Sequence, residues 1–375
     1  MRFPGFEGEW ETNKLGNILT VASGRDYKHL VQGSIPVYGT GGYMTSVDSY
    51  LYDGETVCIG RKGTINKPFY FNGKFWTVDT LFYTHSFKKV LPKFVYHIFE
   101  QINWLKYNEA SGVPSLSKST IDNIDVNISS LNEQLKISSF ISLIDERIET
   151  QNKIIEQLET LIKTVSEKLF SQKLRFEGFC DNWQEKKLGD IGMTYNGLSG
   201  KSKDDFGSGK KYIQYKQIFD KLEIDVKKCG LVNVNDNENQ NQVEYGDVFF
   251  TISSETSREI GMSSVLLEKV EDVYLNSFCF GYRIFSFEIL APEFAKFFFR
   301  SDCVRNSIIK LAQGSTRFNM SKIELLKLKI IVPSIEEQNK IANFLSSIDT
   351  KIDIENQLLQ KLEEQKKFLL HQIFV

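Results

Sequence analysis

Apolar side chains recur at alternating spacings of three and four residues along two stretches of the chain, residues 131–172 and 335–375. This spacing is typical of the heptad seam of a coiled coil, and residues 131–172 contain no Pro or Gly that would interrupt a helix. At about 1.5 Å per residue, each stretch predicts a helix on the order of 60 Å long. The predicted seam consists of Ile141, Ile144, Ile148, Ile155, Leu158 and Ile162 in the first stretch and Leu345, Ile348, Ile352, Leu359, Leu362 and Leu369 in the second.

Polar residues, Gln151 and Glu355, occupy equivalent places in the two series, as is common where a buried polar side chain fixes helix register. We expect the two helices to pack antiparallel on each other. The alternative is that each helix is an amphipathic stripe on its own domain, but helices of that kind rarely reach this length.

The ends of the two halves of the chain are repeated. "RFPGFEGEW" at 2–10 and "RFEGFCDNW" at 175–183 are followed by "KLGNI" and "KLGDI", and the helix openings "LNEQLKISSFISLIDERIE" at 131–149 and "IEEQNKIANFLSSIDTKID" at 335–353 also match. A repeat of this length indicates duplicated domains rather than a solenoid. We therefore predict domains at 1–130 and 173–334, helices at 131–172 and 335–375, and a pseudo-twofold axis relating two domains that the helices hold apart.

Charge and cysteine content narrow the class of protein. The formal net charge is −2: residues 1–130 and 173–334 are each +1, and the two helical stretches are each −2. A protein that binds DNA unaided usually has a larger basic excess. If this chain reads DNA, partners would therefore have to contact most of the DNA phosphates. The five Cys have no C-x-x-C spacing, which disfavours a disulfide framework or a zinc site. No apolar run is long enough to cross a membrane or to form a signal peptide, so we expect a cytoplasmic protein with no membrane partner.

Two short strings resemble catalytic motifs but depart from them. "NKPFY" at 66–70 has Lys67 where the N-P-P-[YF] motif of amino-methyltransferases has Pro, and it is better explained as the edge of a strand. "GLSGKS" at 197–202 would need Gly at 195 to form a phosphate loop, but Tyr195 is there. We expect a polar surface loop instead, and no catalytic or metal site in this chain.

Taken together, the repeated ends and the interior strings "IPVYGTGGY", "IGRKGTIN", "FTISSETSREIGMSS" and "QGSTRFNMSK" resemble the specificity (S) subunit of Type I restriction–modification systems over essentially the whole chain. One departure is the short lead before "RFPGF", which would fit a trimmed N-terminus. The resemblance implies an α+β chain with two mixed α/β target-recognition domains. Each domain would read one half of a bipartite, asymmetric site in double-stranded DNA.

The resemblance also implies the partners. The helices would set the spacer between the half-sites and dock two methyltransferase (M) subunits, which use S-adenosylmethionine. Two restriction (R) subunits, which use ATP and Mg²⁺, would join the full complex. This chain itself would be a non-catalytic specificity subunit without a cofactor.

Base readout requires long hydrogen-bonding side chains on ordered loops, with hydroxyl and aromatic groups beside them. In the first domain the candidates are Arg25, Lys28, Tyr38, Thr40, Tyr43, Arg61, Lys62, Thr64 and Lys67. In the second domain they are Ser199, Lys201, Lys203, Tyr215, Lys216, Thr251, Ser253, Ser254, Thr256, Arg258, Arg317 and Asn319. The loops "GRKGTINK" and "TISSETSREIG" are predicted to be analogous, and Arg61 and Arg258 are the preferred candidates within them.

Two other functions compete with this one. A stand-alone DNA methyltransferase or nuclease is disfavoured by the broken motifs. A coiled-coil scaffold that does not contact nucleic acid is disfavoured by the two large, divergent, aromatic-rich interiors. Neighbouring genes for a methyltransferase and a helicase-like nuclease would separate the three.

Overall fold

A computed structural model describes residues 2–235 and 237–374 of the chain. Two 40-residue helices dominate it, α4 (Leu131–Phe170) and α10 (Ile335–Phe374). The chain forms two compact units, and the division between them falls inside both helices. Unit 1 comprises Met1–Lys153 and Asn356–Val375, and unit 2 comprises Ile154–Glu355. Each unit therefore contains one α/β domain, the first part of one long helix and the last part of the other.

Unit 1 is built on a six-stranded sheet with the order β2-β7-β5-β6-β3-β4. The helix α2 starts at a proline, which needs no hydrogen-bond acceptor for its nitrogen, and it packs the fully buried Phe94 and Phe99 into the core. A two-stranded ribbon, β1-β8, joins the beginning and the end of the domain just before α4. The elements of the unit 1 domain are β1 (Glu11–Lys14), α1 (Leu15–Ile18), β2 (Thr20–Ser23), β3 (Gln32–Gly39), β4 (Gly42–Val47), β5 (Tyr52–Gly60), β6 (Phe69–Thr77), β7 (Leu81–His85), α2 (Pro92–Gln101), α3 (Lys118–Asp122) and β8 (Asp125–Ile128).

Unit 2 repeats part of this plan. Its four-stranded sheet has the order β10-β17-β13-β15, a ribbon of β9 and β20 closes the domain, and α7 again starts at a proline. The elements are β9 (Gln184–Lys187), α5 (Leu188–Ile191), β10 (Gly192–Asn196), β11 (Phe206–Ile213), α6 (Tyr215–Asp220), β12 (Gly230–Val232), β13 (Val248–Thr251), β14 (Ser253–Ser254), β15 (Ser263–Val265), β16 (Val273–Leu275), β17 (Cys279–Ile284), α7 (Pro292–Phe298), α8 (Asp302–Ile309), β18 (Ala312–Gln313), β19 (Phe318–Met320), α9 (Lys322–Lys327) and β20 (Lys329–Val332).

The order β2-β7-β5-β6 in unit 1 corresponds strand by strand to β10-β17-β13-β15 in unit 2, with the same antiparallel pairings. What differs is added to this shared sheet. In unit 1 the β3–β4 hairpin extends it through β6, whereas in unit 2 the separate sheets β12-β11-β16 and β14-β19-β18 lie outside it. The two domains therefore share a framework and differ in their additions.

The two long helices run antiparallel within each unit. In unit 1 the start of α4 meets the end of α10, because Ile137 and Ile141 share a core cluster with Leu370 and Ile373. In unit 2 the end of α4 meets the start of α10, and Ile162 and Val165 pack on the cluster that contains Leu345. All twelve residues of the predicted seam are buried or half-buried. The predicted fold class, mixed α/β domains with two long antiparallel helices, is confirmed.

The repeated motifs meet at the start of each long helix. Glu133 is 1 % exposed and pairs with Arg2 at 2.8 Å, and Glu337 is 2 % exposed and pairs with Arg175 at 2.7 Å. The next residue in each helix, Gln134 or Gln338, accepts a hydrogen bond from the backbone N–H that precedes α2 or α7, at 2.8 and 2.9 Å. The same amide donates to two backbone carbonyls. The Glu–Gln pair therefore fastens each domain to its helix, which gives the sequence repeat a physical cause.

Candidate nucleic-acid interface

In unit 1, the turn at 78–80 between β6 and β7 is the point where the predicted DNA-reading segments converge. The N–H groups of Arg61 and Lys62 both donate to the carbonyl of Thr80, at 2.7 and 3.2 Å. The N–H of Val78 donates to the carbonyl of Tyr38 at 3.0 Å. One residue before the turn, the carbonyl of Thr77 accepts from the N–H of Arg25 at 2.8 Å. The structure thus brings together three segments that lie far apart in the sequence.

The loop 61–68 connects β5 to β6 and is held by its own backbone. The Gly63 N–H donates to Pro114 at 2.9 Å, and the carbonyl of Arg61 accepts from Leu116 at 2.9 Å. Gly63 has a φ of 88°, a conformation that a residue with a side chain rarely adopts. Lys62 and Lys67 are exposed and Thr64 is half-buried. The loop therefore presents two lysines on a fixed backbone.

The Arg61 side chain is half-buried. Its guanidinium lies 5.9 Å from the centre of the Phe82 ring, and Nη1 lies 3.4 Å from the carbonyl oxygen of Asp79. Arg61 would have to leave these contacts to reach a base.

Aromatic side chains line the β3–β4 hairpin. Tyr38 is half-buried against Phe69 and Phe71, with ring centres 5.4 and 5.2 Å apart, and this burial raises the pKa of its hydroxyl. Tyr43 is 63 % exposed and its hydroxyl contacts Ser46. A Cβ built on Gly63 would lie 3.7 Å from Thr40 Oγ1, so the hairpin tip borders the loop 61–68. Arg25 and Lys28 are exposed on the neighbouring segment.

In unit 2, four of the candidates line one open recess with a volume of about 390 Å³. Tyr215 donates a hydrogen bond to the carbonyl of Ser253 at 2.9 Å, and Arg317 Nη2 lies 3.3 Å from Ser253 Oγ. Burial raises the pKa of Tyr215, which stays a neutral donor. The lining is Tyr215, Phe219, Ser253, Ser254, Glu255, Glu259, Phe278 and Arg317. The recess combines aromatic faces, a guanidinium and carboxylates, which are the groups that can stack on and hydrogen-bond to a base.

Sequence reasoning missed the aromatic part of this recess. Phe219 is stacked on Tyr215 with ring centres 6.0 Å apart and planes 18° apart, and Phe278 is 59 % exposed. It also missed the carboxylate of Glu259, which accepts from Thr256 Oγ1 at 2.8 Å and from Ser254 Oγ at 3.2 Å. The high exposure of Phe278 identifies it, but that property appears only in the fold.

The loop 252–262 follows β13 and leads to β15, so it occupies the same topological place as the loop 61–68, as the sequence predicts. Arg258 is exposed on this loop, and its backbone carbonyl accepts from Arg305 Nη2 at 2.8 Å. Arg305, which is 7 % exposed, also donates to the carbonyl of Gly261 at 2.7 Å. This buried arginine, not identified from the sequence, fixes the loop that carries Arg258.

Several candidates lie outside the recess. Thr251 is fully buried, and its hydroxyl accepts from the N–H of Met262 at 3.0 Å, which is a structural contact. The Lys201 side chain is 6 % exposed and pairs with Glu238 at 2.6 Å, and this contact lowers the pKa of Glu238 to about 2. Ser199 is bonded through its backbone to Gln240. Lys203, Lys216 and Asn319 are exposed.

The strings that resemble catalytic motifs have structural explanations. Phe69 and Tyr70 of "NKPFY" begin β6, and the Tyr70 hydroxyl donates to Glu55. The string "GLSGKS" lies between β10 and β11, outside any strand or α-helix. Within residues 2–235 and 237–374, no group of three or more His, Cys, Asp or Glu is placed to hold a metal ion, and no helix is both long and apolar enough to cross a membrane.

Comparison with known proteins gives consistent matches along the chain. The family model described as Type I restriction modification DNA specificity domain matches residues 7–160 and 180–364. The type I restriction enzyme MjaVIII specificity subunit of Methanocaldococcus jannaschii is 24% identical over 343 residues, which cover 86% of this chain and 76% of the relative. A putative type I restriction enzyme specificity subunit of Haemophilus influenzae, S.HindORF215P, is 22% identical over 390 residues, covering 92% and 89%.

Solved structures match over nearly the full length as well. The crystal structure of the S subunit of a Type-I restriction–modification system from M. genitalium superposes with a TM-score of 0.63 at 18% identity, covering 100% of this chain and 99% of that one. A second structure, described as showing the structural basis of complex assembly and conformational transition of the type I R-M system, superposes with a TM-score of 0.58 at 14% identity, with 98% coverage of each chain. At these identities, the likeness to solved structures establishes the fold.

Proposed function

Because this chain belongs to the family of Type I restriction modification DNA specificity domains and serves as a specificity subunit of such a system, we propose that each unit reads one half of a bipartite, asymmetric DNA site. The observation that carries the proposal is the pairing of one shared four-stranded framework with two different additions. A common framework places both domains on their helices in the same way. Different additions give each domain its own set of base contacts.

In unit 1 we assign the reading surface to the segments around the turn at 78–80. Lys62 and Lys67 would contact phosphate, and the exposed Tyr43 would contact bases or sugars at the edge of a groove. In unit 2 we assign it to the recess and to the loop that carries Arg258. Arg317 Nη2 contacts Ser253 Oγ. The other N–H groups of the planar guanidinium can donate two parallel hydrogen bonds to a guanine.

We further propose that the chain performs no catalytic step and that its partners supply the chemistry. Two M subunits would bring S-adenosylmethionine for adenine methylation, and two R subunits would use ATP and Mg²⁺. Exposed apolar side chains on the start of α4 support docking there: Leu131, Leu135 and Leu143 are 53 %, 58 % and 61 % exposed. The near-neutral domains fit the same division of labour, because M subunits that enclose the duplex would contact most of its phosphates.

The lengths of α4 and α10 would set the number of base pairs between the half-sites. Each helix contributes its first part to one unit and its last part to the other, so both helices take part in the spacing.

The test is a comparison of methylated sites in the host with and without this chain. We expect one two-part motif to disappear completely when the chain is absent and to return with the intact gene. The purified chain with S-adenosylmethionine, ATP and Mg²⁺ should methylate and cleave nothing. Methyl transfer that survives removal of every M subunit would overturn the proposal, and so would an unchanged set of methylated sites.

A further inference from the structure

Each unit contains a lysine of low exposure that bridges two carboxylates, one of them on a long helix. In unit 1, Lys366 Nζ lies 2.6 Å from both Glu100 and Asp145, and its side chain is 13 % exposed. In unit 2, Lys296 Nζ lies 3.0 Å from Glu223 and 2.8 Å from Asp349, and its side chain is 8 % exposed.

The two aspartates are equivalent by the sequence repeat, but the two lysines are not. Asp145 and Asp349 occupy the same place in the repeated "ID" of α4 and α10. Lys366 comes from the end of a long helix, whereas Lys296 comes from α7 within the domain. The equivalent aspartate therefore pairs with a lysine of a long helix in unit 1 and with a lysine of the domain in unit 2.

The residue of unit 1 that corresponds to Lys296 can be identified, because α2 and α7 make the same contacts with the long helices. α2 and α7 both begin at a proline whose preceding N–H donates to the helix glutamine, so Tyr96 in α2 corresponds to Lys296 in α7. Lys366 lies over the ring of Tyr96 at 5.6 Å. Unit 1 thus has tyrosine in the domain where unit 2 has lysine.

The ends of the two long helices correspond in the same way. Phe374 packs on Phe94 in unit 1 with ring centres 5.2 Å apart, and Phe170 packs on Phe294 in unit 2 at 5.6 Å. Counting back eight residues from each phenylalanine gives Lys366 in α10 and Ile162 in α4. Ile162 packs against the core of unit 2, where unit 1 has its lysine.

We propose that this exchange of lysines makes the pairing of helix ends with domains selective. The domain of unit 1 accepts the end of α10, which brings a cation, and the domain of unit 2 accepts the end of α4, which brings an apolar side chain. The partner that fits the first half of the chain (residues 1–172) is therefore the second half (residues 173–375), not another copy of the first half.

The opposite pairings are electrostatically mismatched in both cases. With the end of α4 on the domain of unit 1, Ile162 would face Glu100 and Asp145, and two carboxylates would lose the cation they share. With the end of α10 on the domain of unit 2, Lys366 would take the apolar place of Ile162 and lie beside Lys296, which already pairs with both Asp349 and Glu223. Partly buried charges that lose their partner, or meet a like charge, oppose assembly.

To test this proposal, a protease site is placed in the exposed segment 171–174 of the full-length protein. Cleavage of the folded protein then gives the two halves as separate chains. The halves are mixed with an isotope-labelled sample, cycled through denaturant and analysed by native mass spectrometry. We expect complexes of one first half with one second half, with homodimers depleted by roughly two orders of magnitude relative to random pairing. Random pairing of the wild-type halves would overturn the proposal.

The matched variant is Tyr96→Lys combined with Lys366→Ile, which gives unit 1 the arrangement of unit 2. In every pairing of halves the domain then supplies a lysine to the two carboxylates. Homodimers should therefore rise to about half of all complexes, while the thermal midpoint stays close to that of the wild type. Retained one-to-one pairing in this variant would also overturn the proposal. If the variant does not fold, the reciprocal pair Lys296→Tyr with Ile162→Lys makes the same measurement in unit 2. None of these readouts depends on DNA, so a failure here is distinguishable from a failure of the proposed function.

Discussion

In unit 1 the β3–β4 hairpin continues the main sheet through β6, whereas in unit 2 the strands at the same point of the chain, β11 and β12, form a separate sheet with β16. The consequence is a difference in surface. Unit 1 presents exposed lysines and the exposed Tyr43 on segments beside a turn, while unit 2 has an open recess lined by α6, the strand β14 and Phe278. The framework shared by the two units does not determine what each unit can recognise.

The strongest test of this comparison is to exchange one whole domain, with its additions, while keeping the other domain and both long helices. Replacing residues 173–334 with the corresponding span of a relative should replace one half of the methylated motif completely and leave the other half unchanged. The reason is that base contacts lie in the additions, and the joints to the helices are common to both units. Sequencing of methylated sites gives the answer, and a simultaneous change in both halves would show that the units do not read independently.

A second test changes the helices and leaves both domains intact. One heptad inserted after Ile155 together with one after Leu359 preserves the apolar seam and adds about 10.5 Å at 1.5 Å per residue. At about 3.4 Å per base pair, the spacer should lengthen by roughly three base pairs. The same measurement of methylated sites applies. An active variant with an unchanged spacer would rule out the helices as the determinant of spacing, and a heptad in α4 alone serves as the mismatched control.

The contacts that join each domain to its long helix, Arg2–Glu133 and Arg175–Glu337, allow a smaller and purely structural comparison. Glu337 accepts from Arg175 and also from Trp183 Nε1 at 3.2 Å. Glu133 accepts from Arg2, and the equivalent tryptophan, Trp10, instead packs on Phe94 and Phe374. Glu337→Ala should lower the free energy of unfolding by about 3 kcal/mol, and Glu133→Ala by less. Denaturant titration of each variant measures this.

The exposed neighbour Glu336→Ala is the matched control for the joint and should change stability by less than about 0.5 kcal/mol. Equal losses for the Glu337 and Glu133 variants would mean that the tryptophan bond contributes nothing.

The smallest expected effect compares single arginines of the two surfaces. Arg317→Ala should weaken binding of the assembled complex to its site by about 1–3 kcal/mol, and the loss should depend on the sequence of one half-site. Arg61→Ala should cost less, because its guanidinium already rests on Phe82 and Asp79. Titration of the complex with matched and mutated duplexes measures both. An equal loss on every duplex would reassign Arg317 to a phosphate contact.

Some of this molecule could be predicted from sequence because the responsible interactions are periodic. The heptads predict helices at 131–172 and 335–375, and the structure has Leu131–Phe170 and Ile335–Phe374. The start of the first helix is further specified by the Glu–Gln pair, whose repetition was visible although its contacts with Arg2 and the backbone were not.

The candidate interface was less predictable because its members come from distant parts of the chain. Tyr215 and Phe278 line one recess although they are 63 positions apart, and no local pattern relates them. A hydroxyl such as that of Thr251 has the same appearance in a sequence whether it faces a groove or lies in a core. Only the pairing of strands decides between the two, since β13 is a central strand whose four residues are all buried.

The division of the units inside α4 and α10 has a consequence for biosynthesis. Unit 2 is one continuous segment, Ile154–Glu355, but unit 1 needs Asn356–Val375 as well as the first 153 residues. The first domain therefore leaves the ribosome first and is completed last, because Lys366, Leu370 and Ile373 are translated more than 200 residues after Asp145. Translation proceeds at roughly 5–20 residues per second, so the apolar face that these residues cover stays exposed for on the order of 10–40 s. During that interval the nascent chain exposes a surface that a chaperone or another nascent chain can occupy, so slow translation of the last segment favours misassembly of the first domain.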